Sequence, residues 1–174
     1  MHTDTDLNVF EIALSDFDLN LIPEEARSPG TEKFEAAVKK FYEEQLRKIS
    51  AEYSVNLEHG TIRVTWRSSS MHPDALDEGI DALKRGDYGS GVQILELLAP
   101  SRPEDAMLHY NLGMAYSDLG KLSQSVEQLK KALEIDKTFI NAKVALGVSY
   151  ARLKEYEQSA IILKEAVLDD PDNG

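Results

Sequence analysis

Glycine recurs at positions 79, 113 and 147, a spacing of 34 residues each time, and the segments around the last two are close copies of one another. Leu112-Gly113-Met114-Ala115-Tyr116 is echoed by Leu146-Gly147-Val148-Ser149-Tyr150. The same step carries Leu119 to Leu153, Leu129 to Leu163 and Ala132 to Ala166, while Leu95 and Leu98 hold the places of Leu129 and Ala132 in the earlier unit. A period of this length is the mark of a repeat architecture, in which each unit buries its apolar face mainly against its neighbours. The units run 72–105, 106–139 and 140–173.

Inside a unit the apolar residues fall at helical spacing. Leu108, Leu112, Ala115 and Tyr116 form one such run, and Val126, Leu129, Ala132 and Leu133 form a second. Gly120 separates them, at a point where a left-handed residue ends a helix at little cost. Each unit therefore reads as two antiparallel helices. A glycine inside a helix costs about 0.5–1 kcal/mol relative to alanine, so Gly79, Gly113 and Gly147 need a compensating gain. Close approach of the paired helix is the expected one.

These motifs resemble the tetratricopeptide repeat family, whose period has the same length. The small residue of the first helix is Gly79, Gly113 and Gly147, and the aromatic position is Ala82, Tyr116 and Tyr150. The small residue of the second helix is Gly91, Ser125 and Ser159; the closing proline is Pro103, Lys137 and Pro171. The family's Gly-Asp-Tyr turn stands intact as Gly86-Asp87-Tyr88, while its tryptophan is replaced by Ala75, His109 and Lys143. The fold class implied is α-rich: an α-solenoid of three helix-turn-helix repeats, preceded by a small α+β module.

The resemblance also implies a binding surface, because the first helix of each unit lines a concave face in that family. The first unit offers Pro73, Leu76, Asp77, Ile80, Leu83 and Lys84. The second offers Met107, Tyr110, Asn111, Met114, Ser117 and Asp118; the third offers Asn141, Val144, Ala145, Val148, Ala151 and Arg152. An apolar strip with a polar margin is the kind of patch that marks an interaction site, and methionines with a tyrosine suit an adaptable groove. The expected partner is a protein or peptide with an apolar or amphipathic segment, held by an adaptor or chaperone-like module. Family members that grip the acidic C-terminus of heat-shock chaperones use a clamp of Lys and Asn. Here only Asn111 fits that clamp, since Leu76, Ile80 and Ala145 occupy its other places, so co-chaperone activity of that kind is not expected. The small three-repeat chaperones of bacterial secretion systems are similar in size and acidity.

Upstream, Leu7, Val9, Phe10, Ile12 and Leu14 form an apolar stretch, and Phe17, Leu19 and Leu21 alternate with Asp18 and Asn20 as in a strand. Thr31 caps a helix over about 31–52, with Phe34, Val38, Phe41, Tyr42, Gln45 and Ile49 on one face. Tyr53, Val55 and Leu57 alternate, as do Ile62, Val64 and Trp66 beyond Glu58-His59-Gly60, which predicts a hairpin. Residues 1–68 form the α+β module, 69–71 a linker and 72–174 the repeat domain. The module's helix, through Phe34, Phe41 and Tyr42, is a rival occupant of the repeat groove. Two further readings stand beside the adaptor: a ligand-binding or enzymatic module at 1–68 that uses the repeats for targeting, and a self-assembling structural protein.

Chemistry is sparse. There is no cysteine, so disulfides, thiolate metal sites and cysteine nucleophiles are excluded. The four histidines share no metal-ligand spacing, and neither a phosphate loop nor a nucleophile elbow is present. No catalytic residue, metal or cofactor is expected. A net charge of −12, spread along the chain, argues against nucleic acid and anionic lipid. The acidic start is unlike a secretory signal, and no apolar run reaches the about 20 residues of a membrane span; a cytoplasmic location is expected. Ile161 and Ile162 stand where the second unit has Glu127 and Gln128. That substitution predicts homo-oligomerisation through the third repeat, or a chain that continues.

Overall fold

The computed structural model describes residues 6–169. Strand β1 (Leu7–Ala13) leads through three short 3-10 turns into helix α1 (Glu32–Ile49), then β2 (Tyr53–Glu58) and β3 (Thr61–Arg67). Six helices follow: α2 (Ala75–Lys84), α3 (Tyr88–Leu98), α4 (Ala106–Asp118), α5 (Leu122–Ile135), α6 (Ile140–Arg152) and α7 (Tyr156–Asp169). The chain divides into two compact units, one ending at Ser101 and the other beginning at Arg102.

In the first unit an antiparallel sheet of order β1-β3-β2 presents one face to α1. The alternation does this: Ile62, Val64, Trp66 and Val55 are buried, while Arg63, Ser54 and Asn56 point outward. His59 (φ 51°) and Gly60 (φ 76°) form the two-residue turn, whose left-handed conformation matches the twist of the flanking strands. Thr31 caps α1 by accepting a hydrogen bond from the Phe34 amide at 3.2 Å. The predicted apolar face of α1 is buried, and Phe17 meets it edge-on, 6.3 Å from Phe34 and 5.8 Å from Phe41. Each large side chain fully buried in this way contributes about 1.5–3 kcal/mol.

Two expectations are corrected here. Residues 17–21 are not a strand, because Asp18 ends the extended backbone by accepting from the Asn20 amide at 3.0 Å, starting the 3-10 turn Leu19–Leu21. Residues 69–71 are not where the chain divides. Ser68–Ser70 form a 3-10 turn, Met71 bridges to Ser50, and the His72 amide donates to the Ile49 carbonyl at 2.7 Å. The helix pair α2–α3 belongs with α1 and the sheet: Lys48 pairs with Glu78 at 3.7 Å, and Leu21 packs over Gly89, whose missing side chain leaves the room.

The helices pair as α2–α3, α4–α5 and α6–α7. A Cβ placed on Gly79 would stand 2.9 Å from the Leu95 side chain, on Gly113 2.6 Å from Leu129, and on Gly147 2.5 Å from Leu163. All three glycines therefore serve the same end, letting a leucine of the second helix seat against the first. Tyr116 and Tyr150 are core residues, and Lys130 lies 5.7 Å from the centre of the Tyr150 ring. His109, in place of the family's tryptophan, is buried with Nδ1 2.8 Å from the Gln128 Oε1.

Candidate protein-binding groove

In the second unit, α4 and α6 border a groove of about 470 Å³. Tyr110, Met114, Val144 and Val148 supply its apolar lining, with Ala145 between them, and Ser117, Asp118, Asn141 and Arg152 supply the polar margin. The repeat explains the arrangement. The inward faces of α4 and α6 are taken up by Leu112, Tyr116, Leu146 and Tyr150, so the residues between those positions must look outward. Tyr110 is held by ring contact with Phe139, centroids 4.9 Å apart. Met114 and Val148, at 37% and 47% exposure, are free of such restraint.

Arg152 does something the sequence did not foretell. Its Nη1 donates to the Ser117 carbonyl at 2.7 Å and to the Ser117 Oγ at 2.6 Å. The guanidinium thus sits on the carbonyl end of α4, where the helix dipole is negative, and ties the C-terminal ends of α4 and α6 together. It is a staple between repeats as well as a rim of the groove. Nothing in the repeat pattern announces this, because residues 117 and 152 lie 35 apart and meet only when the helices stack.

The other predicted residues distribute unevenly. Met107 is exposed on the first turn of α4, and Asn111 is turned to its own helix, donating to the Met107 carbonyl at 2.8 Å. Leu76, Ile80 and Leu83 share one face of α2 and are half-buried within the first unit. Phe34, Phe41 and Tyr42, offered as a rival filling for the repeat groove, are spent on the first unit's own core against Phe17. Ile161 and Ile162 point different ways. Ile161 is exposed, but Ile162 packs with the cluster of Leu129, Ala142, Leu146 and Tyr150, so only the first remains available to a partner.

Comparison with known proteins agrees with the glycine-leucine frame. A tetratricopeptide repeat family model matches residues 106–139, the same span as the second of the three repeats. The chain contains a tetratricopeptide repeat. Among relatives it is similar to Hsp70-Hsp90 organizing protein 1 of Glycine max, with 24% identity over 100 residues, covering 58% of this chain and 18% of the relative. It thus spans less than a fifth of that protein. The TPR2B domain of yeast Sti1, solved as a complex with pHsp70, superimposes with a TM-score of 0.54 and 25% identity over 56% of this chain and 78% of that one. The first such domain of Spaghetti (RPAP3), bound to the HSP90 peptide SRMEEVD, gives 0.55 with 17% identity over 56% and 78%; that likeness is one of fold.

Proposed function

We propose that this chain is a protein-interaction adaptor or chaperone-like module without catalytic activity of its own, and that the α4/α6 groove holds an apolar or amphipathic segment of another protein. The observation that carries this reading is the concentration of exposed apolar side chains on one concave strip: Met114 (37%), Val144 (42%) and Val148 (47%) around a single groove. Peptide-bound tetratricopeptide domains among the similar structures support a peptide as ligand. The groove's chemistry favours an apolar one over an acidic tail. Asn111 is occupied within its own helix, Arg152 is engaged with Ser117, and Asp118 adds a negative charge at the rim.

The test compares two fluorescent peptides by anisotropy: an amphipathic leucine-lysine model helix and SRMEEVD. The model helix should bind saturably and SRMEEVD poorly. Met114→Glu and Val148→Glu should each abolish binding of the model helix while leaving the helical circular dichroism unchanged. Tighter binding of SRMEEVD, or indifference to both substitutions, would overturn the assignment.

A further inference from the structure

The first unit carries a second recognition surface, of a different kind. The turn at His59-Gly60 pairs Glu58 with Thr61, and antiparallel alternation then directs the backbone groups of Ser54, Asn56 and Glu58 toward β3. Tyr53, Val55 and Leu57 consequently aim their N–H and C=O groups away from the sheet, and no partner within the described residues receives them. The two edges of the sheet are not equivalent. β1 touches the turn Ala99–Ser101, whereas the outer edge of β2 opens into a groove of about 390 Å³.

Glu32, Glu35, Ala36 and Lys39 of α1 form the opposite wall of that groove, at the spacing of a single helix face, and all four are exposed. Ala36 leaves the middle of the wall low. Lys39 is drawn along its own helix to Glu43 at 4.0 Å, which leaves the two glutamates as the groove's dominant charge. A row of open strand donors and acceptors, a flanking helix and a net negative wall together specify an extended, basic segment.

We infer that β2 accepts an extended basic peptide as a fourth strand, its backbone bonded to Tyr53, Val55 and Leu57 and its lysine or arginine side chains meeting Glu32 and Glu35. A second copy of this chain fits less well. The self-pairing centred on Val55 sets Glu52 opposite Glu58 twice, and like charges directly across a ladder repel. Each copy would also bring its own pair of glutamates to the groove.

The probe is the blocked heptapeptide Thr-Lys-Val-Lys-Val-Lys-Thr, added to the full chain and followed by amide NMR and hydrogen exchange. Saturable shifts should concentrate at residues 53–58, and the amides of Tyr53, Val55 and Leu57 should exchange more slowly. The same peptide with glutamate for each lysine should leave them unchanged. Glu32→Lys combined with Glu35→Lys should weaken binding about tenfold or more, at exposed positions that do not touch the core. Leu57→Pro should weaken it too, since proline is tolerated on an edge strand while deleting one outward N–H. Shifts that map to the α4/α6 groove instead, binding that survives the charge reversal, or protection that depends on protein concentration without peptide would each overturn the inference.

Discussion

A step of 34 residues carries α4–α5 onto α6–α7, yet the residues that finish the two helix pairs differ in kind. Asp105 caps α4 by accepting from the Leu108 amide at 3.0 Å, whereas Phe139 precedes α6 with no side-chain cap. The turn between helices has Gly120 at φ 74° in one pair and Lys154 at φ 65° in the other. His109 bonds to Gln128 in the second pair; in the third, the same two places hold Lys143, which reaches Asp169, and Ile162, which packs inward. What the pairs share is the glycine-leucine contact, Gly113 with Leu129 and Gly147 with Leu163. The frame of the repeat thus rests on close approach between helices, and polar ends are fitted to it individually.

That comparison can be broken most directly at the shared contact. Gly113→Ala and Gly147→Ala should each destabilise the protein by about 1–3 kcal/mol, the usual cost of overpacking, measured by urea denaturation. A silent Gly147→Ala would mean that the third pair closes less tightly than the second. Asp105→Ala should cost about 1 kcal/mol through the lost cap, a loss with no counterpart before α6. Lys154→Gly should instead stabilise by about 0.5–1 kcal/mol, because a side chain in the left-handed region is strained. Thermal melts of this variant beside Gly120→Lys, which should move the opposite way, sharpen the contrast between the two turns.

The smallest effect concerns the turn before α6. The Thr138 hydroxyl, and after it the Thr138 amide, hold the Asp136 carboxyl below its ordinary value of 3.8. A carboxyl depressed in the folded state contributes stability above the unfolded value and loses it as pH falls through the folded one. Protection of the Thr138 amide, which donates to that carboxyl at 2.9 Å, should therefore fall as the pH is taken below 3.8. Protection that persists to lower pH would remove Asp136 from the account.

Much of this was legible beforehand, for identifiable reasons. The 34-residue step placed the six repeat helices, and the face of Phe34, Val38, Tyr42 and Ile49 placed α1, because a helix of that length shows its period plainly. The hairpin was equally readable, since alternation on both sides of His59-Gly60 admits little else. Residues 17–21 misled because Phe17 and Leu19 alternate over too short a run, and a single Asp18 side chain decides the backbone there. Ile162 misled because a one-residue shift around a helix turns a side chain from solvent to core. In the groove, Tyr110, Met114, Val144 and Val148 were placed by the repeat, while Leu76, Ile80 and Leu83 belong to a different compact unit.

By itself, then, the sequence determined the repeat, its register and the residues able to face outward, since periodicity is a property of local geometry. Tertiary structure alone decided that α2–α3 joins the sheet and α1, through Glu78, Ile49 and Leu21. It alone set Arg152 on the end of α4, and it alone left the edge of β2 open beside Glu32 and Glu35. Those outcomes depend on residues far apart in the chain coming within hydrogen-bond or packing distance, and no periodic pattern encodes such meetings.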